Sequence, residues 1–349
     1  MLSNASKLLL RSEELFAQGK WLLVNPVDAE VFSQLASPHI IGFHQYFDIY
    51  QQAVAAADSD NHYFGAAYPV GQVFDGIVIY MPKAKPQAVM LLANLVACLK
   101  PGGQILMVGE NKGGIKSADK LLAEYSPQVN KIDSARHCSL YCAEISAPDA
   151  KFDLEDWFSQ TQINVGTLTY KLCSLPGVFG HKELDPGTRL LLENVKQVPS
   201  GKILDFACGT GVIGCFLALK RPNSTVTMCD VSALAVCCAQ RSAELNNLKV
   251  KVIASDGLSE LSSGYGAVYT NPPFHTGVQT DYSVTDNFVT NIRARMAGDG
   301  LLVLVANHFL KYASMLEEHV GAVTCIANTS KFKLYQVNKT KHLGSNTKF

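Results

Sequence analysis

Neither sign of charge dominates this chain. Its 30 Lys+Arg residues balance 30 Asp+Glu over 349 positions, which removes the strong basic excess of a protein that coats nucleic acid. Nowhere does it approach the roughly 18 uninterrupted apolar residues of a membrane span. At the start, MLSNASKLLLRSEELF offers only three consecutive leucines between Lys7 and Arg11, short of a signal sequence. A soluble, cytoplasmic protein with no membrane partner is the expectation. The ten cysteines form no C-x-x-C pair and no Cys/His cluster at zinc spacing. Most fall in apolar runs, so buried free thiols are expected and a metal is not.

What is present is a chain 48% hydrophobic and long enough for two globular domains. The charge is unevenly placed: residues 1–165 carry 12 Lys+Arg against 17 Asp+Glu, and residues 166–349 carry 18 against 13. A modest basic excess in the second half suits a polyanionic substrate without requiring one. Between Pro148 and Tyr170 strong periodicity is lost, which marks a linker or hairpin. The expected division is a first domain over 1–150, a linker over 151–169 and a second domain over 170–349.

From Lys202 the pattern is regular. KILDFA reads as a strand, VIGCFLALKR as a helix, STVTMCD as a strand and SALAVCCAQRSAELNNL as a helix; KVIASD, AVYTN and LLVLVAN continue as strands. DNFVTNIRARMAGDG reads as a helix that its glycines end before the last of these strands. Alternation of this kind predicts a mostly parallel sheet covered by helices on both faces, with ligands bound at the carboxyl ends of the strands. The unusual residues gather there: Asp205, Cys208, Gly209 and Gly211 around the first strand, Asp230 and Asp256 after the next two, Asn271 after the fourth. GTGVIG (209–214) matches G-x-G-x-x-G, and Asp230 lies 19 residues beyond Gly211, so a nicotinamide-binding oxidoreductase is a rival reading. Against it stands Asp205 within the strand, which repels a pyrophosphate and attracts a cationic or amino group.

DFACGTG, followed by CD, SD and NPPF at successive strand ends, resembles the S-adenosylmethionine-dependent methyltransferases that act on exocyclic amines. The resemblance implies S-adenosylmethionine as cofactor. Asp205 would lie near its charged end, and the turn Ala207, Cys208, Gly209 and Gly211 beside its methionyl part. Asp230, with Val231, would hold the ribose; Asp256, with Ser255, the adenine. Ala207 departs from the glycine frequent in these families, a change tolerated if the backbone there has no need of positive φ. Asn271 and the carbonyl of Pro272 would accept the two N–H bonds of the amine. Pro272 and Pro273 stiffen the corner, Phe274 stacks the base, and methyl transfer then needs positioning more than a strong general base.

FDGIVIYMPK (74–83) repeats the strand-then-proline pattern of YGAVYTNPPF (265–274), and CLKPGGQILMVGENK parallels RMAGDGLLVLVANHF. The fold class expected is therefore α/β, with two tandem Rossmann-like methyltransferase domains. The first lacks the D-x-x-x-G-x-G set and is expected to bind no cofactor; its loop residues Lys83, Lys85, Lys112, Lys116 and Arg136 are candidates to hold RNA through phosphates. PKAKPQ, GENKGGIKSA, LPGVF, NPPFHTG and KFKLYQV, spread over nearly the whole chain, resemble the bacterial 16S rRNA guanine-N2 methyltransferase family. That resemblance implies methylation of one guanine, expected at position 1207, within the 30S subunit, by a monomer. Phe179, His275 and Gly277 are further substrate-side candidates. A large-subunit rRNA guanine-N2 methyltransferase and a protein-glutamine methyltransferase remain open beside it.

Overall fold

The computed structural model describes residues 1–35, 39–56, 61–148, 151–180, 184–272 and 279–339. They form two compact units, Met1–Phe158 with Leu175–Gly177, and Ser159–Ser174 with Val178–Phe349.

The first unit holds strands β1 (Trp21–Val24), β2 (Ile40–His44), β3 (His62–Phe64), β4 (Phe74–Tyr80), β5 (Leu99–Glu110), β6 (Val129–Ala135) and β7 (Cys138–Ile145). Its helices are α1 (Asn4–Leu9), α2 (Val31–Gln34), α3 (Phe47–Ala56), α4 (Lys85–Val96) and α5 (Ala118–Leu122). The sheet order is β3-β2-β1-β4-β5-β7-β6, parallel except at β7. Successive residues of the central strands enter opposite cores. Leu22, Val24, Ile77 and Ile79 pack on one face, and Trp21, Leu23, Val78 and Tyr80 on the other. Burial on both faces is why β4 reads as an unbroken apolar run rather than an alternating one.

The second unit opens with a hairpin, β8 (Ser159–Val165) and β9 (Leu168–Ser174), so that the stretch 151–169 contains a strand of this unit. It continues with β10 (Lys202–Phe206), β11 (Thr225–Asp230), β12 (Lys251–Ala254), β13 (Tyr265–Thr270), β14 (Met296–Asn307), β15 (Gly321–Asn328) and β16 (Phe332–Lys339). Helices α6 (Pro186–Asn194), α7 (Val212–Lys220), α8 (Ala233–Leu245), α9 (Gln279–Asn291) and α10 (Tyr312–His319) complete it. Its sheet order, β12-β11-β10-β13-β14-β16-β15, reproduces that of the first unit strand for strand.

The repetition extends to an irregularity. Between β4 and β5 the pairing steps from Phe74↔Leu99 to Gly76↔Gln104; between β13 and β14 it steps from Tyr265↔Met296 to Ala267↔Leu301. Each second strand thus bulges, with a glycine, Gly103 or Gly300, as the last residue without a partner on the parallel strand beside it. This corrects the expectation that a helix runs to the GDG of 298–300. α9 ends at Asn291, a 3-10 turn spans Ile292–Ala294, and the backbone N–H groups of Gly264 and Tyr265 both donate to the Arg295 carbonyl. That pairing commits residue 296 to the sheet before the glycines arrive.

Candidate functional site

Strand register brings the polar residues to one edge. Phe206 is level with Cys229 on one side and Thr270 on the other, and Asp230 is level with Ala254. Asp205, Ala207, Asp230, Ser255 and Asn271 therefore lie within about one residue of the carboxyl ends of four adjacent strands. Thr270 Oγ1 donates to the Phe206 carbonyl at 2.9 Å and fixes the end of β13 to that of β10.

Asp205 is fully buried. Its Oδ2 accepts from the backbone N–H of Gly214 at 2.8 Å, pinning the first turn of α7, while Oδ1 is buried with no partner among the described residues. Burial first, and then the neighbouring Asp230, push its pKa up to about 8; the Gly214 N–H opposes them. Folding therefore favours the protonated form. Its contribution is present in full below the unfolded value near 4 and fades as pH rises through about 8. Relative to wild type, the Asp205→Asn protein, which cannot ionise there, is expected to gain stability by up to about 1 kcal/mol per pH unit across that window. Thermal unfolding of both proteins at several pH values measures it, and a constant gap between them would contradict the assignment.

Asp230 holds the glycine turn closed. Its Oδ2 accepts from Gly209 N–H at 2.9 Å and its Oδ1 from Ser232 N–H at 3.0 Å. Burial raises its pKa, and these backbone donors work against the rise. Gly211 N–H donates to the Cys208 carbonyl at 2.8 Å, while the Cys208 side chain belongs to the core, its thiol pushed well up by burial. Cys208 thus shapes the turn through its backbone. Of the glycines, Gly214 is required by packing, since a Cβ there would stand 2.6 Å from Met228 Cε. Among the described residues a Cβ at Gly209 would meet only the Phe179 carbonyl, at 3.8 Å. That open face beside the Asp230 carboxylate, which accepts the Gly209 N–H, is a cradle a ligand with hydroxyls can occupy.

Ala207 has φ +57°. The condition under which alanine was expected to be harmless is not met: the backbone does need positive φ here, at a cost of about 1 kcal/mol for a residue with a Cβ. Replacing Ala207 with glycine is expected to raise stability by about 0.5 kcal/mol, the strain relief less glycine's extra chain entropy. Chemical denaturation reads this directly, and a loss of stability would show the conformation to be unstrained.

Val231 is half-buried and Asp256 exposed. Ser255 is buried, donates through Oγ to the Gly257 carbonyl at 2.9 Å and accepts from Glu260 N–H at 3.2 Å, so it closes the loop that presents Asp256. Phe179 is 63% exposed, with its carbonyl beside the glycine turn. Asn271 is half-buried and Pro272 buried. Pro273, Phe274, His275 and Gly277 lie outside the described residues.

The sequence reading missed the partners of Asn271. Its Nδ2 donates to Asp185 Oδ2 at 2.9 Å and to Thr188 Oγ1 at 2.8 Å. Asp185 is the N-cap of α6, where Oδ2 also accepts from Thr188 N–H at 2.8 Å, and Pro186 follows at the first helical position. The D-P-x-T pattern announces a helix start and nothing about Asn271.

In the first unit the ends of the two strands that match β10 and β11 carry neutral groups. Phe43 is level with Val24 as Cys229 is with Phe206, so His44 stands where the second unit has Asp230. Its pKa is pushed down to about 3 by burial and then by His62. Asn25 and Gln45 exchange two hydrogen bonds, Gln45 N–H to Asn25 Oδ1 at 2.7 Å and Asn25 Nδ2 to Gln45 Oε1 at 2.9 Å, and Gln87 donates to the same Oε1 at 2.9 Å. Lys83 and Lys85 follow β4, Lys112 and Lys116 follow β5, and Arg136 sits in the β6–β7 turn. Because Glu110 pairs with Cys138, that turn shares the edge. All five are exposed there.

Strand order, glycine turn, strand-end aspartate and asparagine corner together define a methyltransferase of the small-domain class with a twin domain ahead of it. Residues 169–336 match the methyltransferase small domain, and residues 6–161 the methyltransferase small domain N-terminal. A ribosomal RNA small subunit methyltransferase C of Pseudoalteromonas atlantica is 56% identical over 339 residues, 96% of this chain and 99% of that one. The enzyme of that description from Alteromonas mediterranea is 40% identical, with the same coverage. The chain belongs to the ribosomal RNA small subunit methyltransferase C family. A solved structure, the Thermus thermophilus 16S rRNA N2 G1207 methyltransferase in complex with AdoMet and guanosine, shares the fold at a TM-score of 0.81. The two are 22% identical, covering 97% of this chain and 92% of that one.

Proposed function

We propose that this protein methylates the exocyclic N2 of one guanine in 16S rRNA, at the position numbered 1207, with S-adenosylmethionine as donor and the 30S subunit as substrate. The observation that carries the reading is the juxtaposition of the Asp230-closed glycine turn with Asn271 at the ends of neighbouring strands. When bound, S-adenosylmethionine supplies an electrophilic methyl group: its S–C bond breaks as the amine lone pair forms N–C, leaving a neutral thioether and a proton for water. Gly209 admits the methionyl part. Asp230, whose oxygens keep lone pairs beyond those used by backbone, accepts from the ribose, and Asp256 faces the adenine. Asn271 and the Pro272 carbonyl accept from the amine. The dinucleotide alternative fails on donors, because Gly209 N–H, which would cradle a phosphate, already serves Asp230.

In the first unit, Lys83, Lys85, Lys112, Lys116 and Arg136 form a basic edge on an otherwise acidic half. We assign it to rRNA phosphates, which position a substrate without reading its sequence. His44 and the neutral amides stand where the second unit has Asp230 and its neighbours, so that position offers a ribose no carboxylate.

The deciding experiment supplies labelled S-adenosylmethionine to small subunits lacking the modification and analyses nucleosides after digestion. Label in N2-methylguanine at one site supports the reading. Cofactor binding with label in a translation factor, and none in rRNA, would replace it with protein-glutamine methylation. Transfer to large subunits alone would move the target.

A further inference from the structure

An asparagine amide is ambivalent: its oxygen accepts, its nitrogen donates two hydrogens, and a ligand can meet either end. Asn271 has lost that freedom. Both amide hydrogens are taken, one by Asp185 Oδ2 and one by Thr188 Oγ1, residues 86 and 83 positions away in the chain. A carboxylate has no hydrogen to give, so turning the amide over would set the Asn271 oxygen against the negative oxygen of Asp185.

The two acceptors are themselves held. Asp185 Oδ2 also receives Thr188 N–H as the N-cap of α6, and Thr188 is buried. Leu191 and Leu192 anchor the helix in the core. Among the described residues the only hydrogen-bonding capacity left on the Asn271 side chain is that of Oδ1.

We propose that Asp185 and Thr188 are positioning residues that commit Asn271 to act as an acceptor, and so make the site select a group that presents N–H over one that presents a carbonyl. On guanine this separates the exocyclic amine from the ring carbonyl of the same base. The inference rests on the guanine-amine reading above, and it assigns the selectivity to two residues on a helix that precedes the sheet.

The test uses the full chain with labelled S-adenosylmethionine and small subunits lacking the modification. Thr188→Val removes the hydroxyl at nearly constant volume. Asp185→Ser keeps a capping oxygen but is too short to reach Asn271. Each is expected to lower kcat on the order of tenfold to a hundredfold, with little change in cofactor affinity. Thr188→Ser and Asp185→Asn, which retain an acceptor oxygen, should recover most of the loss. In an Asn271→Ala background, Thr188→Val and Asp185→Ser are expected to change kcat by less than about twofold, because no amide remains to be oriented.

If they act undiminished in that background, their effect belongs to the stability of α6 and the proposal is overturned. If Asn271→Ala alone keeps the wild-type rate, the amine-acceptor reading fails, and the positioning role with it. The single variant therefore separates the two failures.

Discussion

The Asn271→Ala enzyme is expected to transfer methyl groups about a thousandfold more slowly than wild type, a loss of the size found when one preorganised hydrogen-bonding group is removed from a reacting centre. An exocyclic aromatic amine is a weak nucleophile because its lone pair is delocalised into the ring. Accepting its N–H bonds favours the pyramidal nitrogen that attack requires, and alanine offers no acceptor. The fold should survive: Asp185 Oδ2 keeps the Thr188 N–H, so no buried charge is stranded, and the stability loss should stay near 1 kcal/mol. Single-turnover transfer with calorimetric cofactor binding separates the two quantities, and a rate within tenfold of wild type would remove Asn271 from the chemistry. Asn271→Asp should do more damage to the fold, since it places a second carboxylate against Asp185.

Asp230→Ala is expected to weaken cofactor binding by about a hundredfold, the equivalent of roughly 3 kcal/mol for hydrogen bonds between a carboxylate and two ribose hydroxyls. Unlike Asn271→Ala, it should also destabilise the protein without cofactor. Gly209 N–H and Ser232 N–H lose their acceptor together, and a glycine turn with two unpaired donors costs about 2 kcal/mol. Isothermal calorimetry and chemical denaturation on the same preparation distinguish these effects. Lowered stability with unchanged affinity would leave Asp230 as the latch of the turn and nothing more.

The sequence was most informative where periodicity and position agree. Apolar runs such as ILDF and AVYT can only be central strands, and the residue following each run must then sit at the crevice. That logic placed Asp230, Asp256 and Asn271 at the ends of their strands from the strands alone. It could not find Asp185, because a hydrogen bond between residues 86 apart depends on how α6 packs on the finished sheet, and D-P-G-T is fully accounted for as a helix cap. Nor could it tell that the Cys208 side chain turns into the core while its backbone shapes the crevice. The glycines of 298–300 misled for a related reason. Glycine after a helical pattern signals a helix end, whereas here the strand had already begun and the glycine closes a bulge.

The repeated bulge and the repeated positive φ, at Asn25 just after β1 and Ala207 just after β10, allow the chain to serve as its own control. One plan is built twice in the same chain. Whatever both halves retain, including strand order, bulge and backbone kink, answers to folding, because the half without the glycine turn keeps it too. Only the second half has Asp205 and Asp230 at the ends of its first two strands and an asparagine tethered after its fourth, and under the proposed function these answer to chemistry. By that division the left-handed residue after the first strand is architecture, and a search that relied on it would return both halves of this chain alike.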